Sequence, residues 1–211
     1  GATPAYEGAT PVKPANEQYS YSFKEWQPAI VSVTGVATYV AQYDSVVNSY
    51  LIAFVNYNGD TLQKNVLDYG QMPSYIGSTP VKTANAQYTY SFKGWMPAVA
   101  SVVGEATYTA DYDSVVNVYR IEWNNYDGTS LAVDSVAYGS KPTYAGTTPV
   151  KPANVQYTYS FKEWQPAVVN VMGDATYTAQ YDSVVNKYLI AFLNYNGDTL
   201  QASAVDDGAT P

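Results

Sequence analysis

The sequence predicts a mainly β protein, a tandem array of repeats of about 69 residues that forms an extended rod. Three observations predict it. Trp26, Trp95 and Trp164 are spaced by 69, as are Gly59, Gly128 and Gly197, and Gly70, Gly139 and Gly208. An Asn-Gly or Asp-Gly pair stands between alternating segments in each copy, the strongest short hairpin signal. The composition, with 23 Tyr among 211 residues and plentiful Val and Thr, suits half-buried pleated surfaces.

The repeat has few departures. ATYVAQYDSVVN (37–48) returns as ATYTADYDSVVN (106–117) and ATYTAQYDSVVN (175–186). The first and third copies agree at 50 of 69 positions, without insertions. Gly208-Ala-Thr-Pro211 repeats Gly1-Ala-Thr-Pro4, so a fourth copy is expected to be starting. It resembles the first, which suggests a longer array with a super-period of three copies. With no initiator Met and no secretory leader, the expected chain is processed, excised or part of something longer.

The elements follow in order. Tyr119–Tyr126 alternates into a two-residue turn at Asp127-Gly128; the other copies turn at Asn58-Gly59 and Asn196-Gly197. Return strands are expected near 62–67, 131–137 and 200–205. A Pro-, Gly- and Thr-rich stretch follows, 70–87 in the second copy. Pro73 and Pro80 bar a long helix there, while Thr79-Pro80 carries a short-helix start, Thr as N-cap and Pro at the first helical position. A third strand begins at Tyr88 and ends near Trp95. A fourth, 106–112, lines Ala106, Tyr108, Ala110 and Tyr112 on one face. The facing of Trp95 stays open. Strict alternation sets it opposite Phe92, and a bulge near Gly94 sets it on the same side, with Glu25 and Glu163 at that position in the other copies. The natural unit is thus hairpin, loop, two strands. Residues 1–48 read as the second half of a repeat, 50–117 and 119–186 as complete repeats, and 188–211 as the first hairpin of a further one.

These residues resemble a known family. Tyr119…Tyr126-Asp-Gly-Thr-Ser-Leu, Val136-Ala-Tyr-Gly, Pro149, Tyr157–Trp164 and Ala175–Tyr181 together look like the Listeria–Bacteroides repeat, which includes the internalin B-repeat. The likeness covers essentially the whole chain. Gly94 fits the family's Gly before Trp; Glu25 and Glu163 depart from it. The resemblance implies small β-grasp-like α+β units strung in tandem on secreted or surface-anchored bacterial proteins, and it supplies no catalytic residues.

Composition excludes several chemistries. The chain has no His and no Cys, so Ser-His-Asp triads, thiol nucleophiles, His or thiolate zinc ligands and disulfides are out. The formal charge of −8 argues against a phosphate-backbone partner. No apolar run approaches the roughly 18 residues of a membrane span. Cysteine absence fits a reducing cytosol and equally a surface protein that avoids thiols.

The candidate sites are structural. Trp26, Trp95, Trp164, Phe23, Phe92 and Phe161 are expected in the core, because units of this size need large buried side chains. The competing reading of the aromatics is a glycan-stacking platform; the Tyr residues divide between core and surface. Asn56–Asp60 and Asn194–Asp198 look like the start of a calcium loop, but no bidentate Glu follows, and a hairpin turn at Gly59, Gly128 and Gly197 accounts for them. Lys13, Lys82, Lys151, Lys24, Lys93 and Lys162 recur with Asn48, Asn117 and Asn186. An isopeptide crosslink would need burial beside an acid, and solvated faces are the plain reading. Asp111 and Asp113 pair on a strand, but Gln42 and Gln180 replace the first in the other copies, so an enzyme is not expected. No cofactor and no metal are expected. The segment 44–48 reads as a linker without Gly or Pro, restricted in bending, with a Val pair able to dock on the next domain.

The function expected is a structural stalk segment of a bacterial cell-surface or extracellular fibre, continuing head-to-tail by covalent chain or by strand complementation between copies. The partners are then neighbouring repeats or copies of the same protein. The alternative is an adhesin module for a host protein or glycan.

Overall fold

The computed structural model describes residues 1–210. It is all-β. The twelve strands are β1 (Tyr19–Gln27), β2 (Val40–Val47), β3 (Ser49–Val55), β4 (Thr61–Asp68), β5 (Tyr88–Met96), β6 (Ala106–Val116), β7 (Val118–Asn124), β8 (Ser130–Ala137), β9 (Tyr157–Gln165), β10 (Ala175–Val185), β11 (Lys187–Leu193) and β12 (Thr199–Asp206). They form two four-stranded sheets, β4-β3-β6-β5 and β8-β7-β10-β9, and two hairpin-like pairs, β1-β2 and β11-β12. By compactness the chain divides into one unit of residues 1–83 and 90–114, and a second of residues 84–89 and 115–210.

Each four-stranded sheet is mixed. A hairpin (β3–β4, β7–β8) and a later antiparallel pair (β6–β5, β10–β9) meet through a central parallel pair. Its register is Ile52↔Ala106 to Val55↔Thr109 in one sheet and Ile121↔Ala175 to Asn124↔Thr178 in the other. Sequence alternation gave the strands but not this parallel join. A parallel join needs a long return path, here the hairpin's second strand, the Pro-rich loop and one further strand.

Among the described residues there is no helix, which corrects the α+β expectation and the helix start at Thr79-Pro80. The physical reason is where the loop's groups go. Pro73 and Pro80 are buried, and the Tyr75 ring packs on Trp95 at 4.9 Å. The Gln63 side chain donates to Ser74 O at 2.8 Å and accepts from Ile76 N at 2.9 Å. The loop thus serves as the second layer, covering the sheet with prolines and aromatics. Gly77 is small because that ring folds back: a Cβ there would lie 2.4 Å from the Tyr75 hydroxyl, and Gly8 and Gly146 repeat the relation.

The core sits between sheet and loop. Ile52, Phe54, Val102 and Tyr108 form one buried cluster; Ile121, Trp123, Val171 and Tyr177 form the other. Each large side chain so buried contributes about 1.5–3 kcal/mol. Alternation explains the facing: Ile52 and Phe54 point inward, while Leu51, Ala53 and Val55 between them are only half-buried.

The turns differ from the two-residue form expected. Gly59 N donates to Asn56 O at 2.9 Å, the register shifts between Phe54 and Val55, and among the described residues no non-Gly residue has positive φ. A type I′ turn needs two positive φ values. This is a type I turn closed by a glycine in the left-handed region, a bulged loop. Gly59, Gly128 and Gly197 hold φ of 88°, 86° and 89°.

Candidate functional site

The structural centre of each repeat is an aromatic nest. Phe54 is 1% exposed and lies 4.7 Å from Trp95, 5.6 Å from Tyr75 and 5.2 Å from Tyr108 between ring centroids. Trp123, also 1% exposed, repeats this with Trp164 at 4.8 Å, Tyr144 at 5.6 Å and Tyr177 at 5.0 Å. These separations are in the range of favourable ring pairs. The larger indole brings an N–H that needs a partner, and Nε1 donates to Asp134 Oδ2 at 2.8 Å. Phe54 needs none, and Asn65 stands at the position of Asp134.

Trp26, Trp95 and Trp164, with Phe23, Phe92 and Phe161, are all half-buried. Each Trp touches its Phe, at 5.5, 5.4 and 5.4 Å. They share a face because the strand bulges: the register slips between Phe23 and Glu25, and Phe161 and Glu163 face the consecutive residues Tyr181 and Gln180. The bulge therefore forms in the copies with Glu as well, and glycine is not required for it. Trp95 and Trp164 wall the buried clusters from the side. The fully buried aromatic is the one at position 54 or 123, which the sequence reading did not single out. The signal was the fourth tryptophan, which falls outside the 69-residue series and substitutes for a Phe.

A second recurrent device joins consecutive repeats. Asn117 is the single residue between β6 and β7. Its Nδ2 donates to Asn85 O at 2.7 Å and Ala86 O at 3.1 Å; its Oδ1 accepts from Thr89 Oγ1 at 2.8 Å. Its N–H donates to Gln87 O at 2.9 Å and its C=O accepts from Tyr138 N at 2.9 Å. Tyr119 adds a hydroxyl bond to Ala86 O at 2.6 Å. Asn48 and Asn186 repeat the pattern, with Tyr50 and Tyr188. The segment 44–48 is accordingly strand end plus hub rather than linker, and Val46 and Val47 stay exposed.

The recurring lysines fall into two roles. Lys13, Lys82 and Lys151 lie over Tyr21, Tyr90 and Tyr159 at 3.7, 4.0 and 4.1 Å; Lys82 and Lys151 also face Tyr57 and Tyr126 at 5.0 and 4.8 Å. Lys24, Lys93 and Lys162 pair with strand aspartates at 3.1–3.7 Å on open surface, where such pairs contribute little. The bond to Asp182 raises the Lys162 pKa. At the turn, the Thr129 N–H lowers the Asp127 pKa. Asp111 and Asp113 both face Lys93. Tyr112 and Tyr181 donate to Asn56 Oδ1 and Asn125 Oδ1 at 2.6 Å, and burial, then the neighbouring Tyr57 or Tyr126, raises their pKa values.

No family model matches the chain, and no curated protein matches it. Among solved structures, the chain is similar to Streptococcal High Identity Repeats in Tandem (SHIRT) domains 3-4 from a cell surface protein, at 15% identity and a TM-score of 0.33, over 65% of this chain and 99% of that one.

Proposed function

We propose that the chain is a structural segment: a tandem β-repeat stalk of a bacterial cell-surface or extracellular fibre protein, with no catalytic role. The observation that carries this reading is the asparagine hub. Asn48, Asn117 and Asn186 each stand at a repeat boundary: the side chain bonds back to the loop of its own repeat, while the carbonyl accepts from the N–H of Tyr69, Tyr138 or Asp207 in the next, and the Tyr50, Tyr119 or Tyr188 hydroxyl of the next repeat bonds to the same loop. A chain that maintains its joints so uniformly is suited to transmitting length and tension, with stability set by repeat and neighbour terms. The likeness to the Listeria–Bacteroides repeat supports the extracellular placement. The sheet order, with a parallel central pair flanked by antiparallel strands, supports reading each repeat as a β-grasp sheet whose helix is replaced by the Pro-rich loop.

Small-angle scattering on arrays of three, six and nine repeats tests the reading. The maximum dimension should grow in proportion to repeat number. Growth as the square root, the behaviour of a flexible chain, overturns the stiff stalk.

A further inference from the structure

We propose that the outer face of the β4-β3-β6-β5 sheet is an interface, and that its partner is the same face of a second copy of this chain. The proposal goes beyond the stalk reading: it concerns side-by-side pairing and holds whether or not the array is stiff.

The two complete repeats have nearly the same inner face and contrasting outer faces. In the first, β3 turns Leu51, Ala53 and Val55 away from the core. Cross-strand register sets Val66 beside Leu51, Lys64 and Thr107 beside Ala53, and Thr109 beside Val55. Met96 stands at the position of Gln165, which pairs with Thr178, so it continues the row at Thr109. Val66 is 66% exposed and Met96 62%. In the second repeat, the counterparts of Leu51, Ala53, Val55, Val66 and Met96 are Arg120, Glu122, Asn124, Ser135 and Gln165. A sheet with one solvated face ordinarily alternates apolar inside and polar outside. The second repeat does so; the first presents an apolar strip, the mark of an interaction surface.

The charges separate the two faces as well. In the second repeat they are satisfied within the chain. Arg120 pairs with Glu122, Thr176 Oγ1 donates to Glu122 Oε2 at 3.4 Å, and Asp174 Oδ1 accepts from Arg120 N at 2.8 Å. In the first, Lys64 and Glu105 border a dip of about 240 Å³ over Ala53. Among the described residues neither of them enters an ion pair. They lie on opposite sides of β3, Lys64 on β4 and Glu105 just ahead of β6.

This placement makes the face complementary to itself. An oblique two-fold axis in the plane between two such faces, crossing β3 between Leu51 and Ala53, sets Lys64 of each copy against Glu105 of the other. Two ion pairs then bracket the apolar strip. The contact is isologous and closes as a pair. Four strands roughly 4.8 Å apart, with three outward residues each, cover about 300–400 Å² per copy. That is below the roughly 800 Å² per partner of a standard interface, so the pairing is weak and reversible.

The test uses the 211-residue chain in sedimentation equilibrium up to about 1 mM, the range suited to an interface of this size. The mass should rise from 23.0 kDa toward twice that value. Leu51→Arg with Ala53→Glu, which installs the residues of the second repeat, should hold it at 23.0 kDa. Lys64→Glu alone and Glu105→Lys alone each set like charges opposite one another and should weaken association by about tenfold or more. An equimolar mixture of these two variants restores both ion pairs and should regain the parent's association. A misfolded chain would not be rescued in this way. A parent monomeric at every concentration, association that survives Leu51→Arg with Ala53→Glu, single charge variants that pair like the parent, or a mixture no better than its components each overturns the proposal. None of these outcomes touches the scattering of covalent arrays, so the stalk reading stands or falls separately.

Discussion

The Tyr181 hydroxyl donates to Asn125 Oδ1 at 2.6 Å across 56 residues of sequence, and Tyr112 makes the same bond to Asn56. It ties the last strand of a repeat to the turn of its own hairpin. Tyr181→Phe should cost about 1–2 kcal/mol, the loss of one partly buried hydrogen bond with its acceptor left behind. Urea unfolding followed by tryptophan fluorescence measures it. Asn125→Ala should cost a similar amount, and the double variant should cost less than the sum.

The same two tyrosines set an alkaline limit. Burial raises both pKa values above 10.0. Below pH 10.0 the hydroxyls are protonated in both states, and their contribution is fully present. Above it the unfolded chain loses these protons first, so the folded state binds more of them and stability falls as pH rises through the folded pKa. Denaturation midpoints from pH 8 to 11 should drop, and Tyr112→Phe with Tyr181→Phe should flatten that drop relative to the parent.

Trp123 and Asp134 form a matched pair in the middle repeat. Trp123→Phe removes the donor and leaves the carboxylate beside an apolar ring, with a cavity; about 1–3 kcal/mol should be lost. Adding Asp134→Asn restores the combination found at Phe54 and Asn65 and should recover part of the loss. A double variant no more stable than Trp123→Phe alone would show that the indole's bulk, not its N–H, matters there.

The hub is testable by exchange. Asn117→Ala deletes two donors and one acceptor at a joint and should destabilise by roughly 2–3 kcal/mol. Amide exchange at Tyr138, which bonds to the Asn117 carbonyl, should speed up while that at Ile121 changes less. Equal acceleration at both sites would mean the joint and the core open together.

Much of the fold is legible in the sequence. The period of 69, the alternation of Ala106, Tyr108, Ala110 and Tyr112, and the Gly-closed turns place the strands. Three things escape it. The parallel join of β3 to β6 rests on contacts between segments more than 50 residues apart, for which local pattern has no signal. The loop's helix start at Thr79-Pro80 is outweighed by packing, since Pro73, Tyr75 and Pro80 are held against the sheet. The bulge that brings Trp164 to the side of Phe161 is a one-residue slip, invisible to strict alternation. The candidate site is half legible: the recurrence of the Asn is plain in the sequence, while its structural use depends on carbonyls that sequence cannot place.

The nests around Phe54 and Trp123 have the same walls, Tyr, Trp and Tyr. No side chain in them specifies which hairpin belongs to which nest; nearness along the chain does. A repeat inserted or deleted by unequal recombination would thus meet complementary surfaces on both sides at once. Such a gene can change the number of repeats in its product in steps of one, without new mutations at any joint.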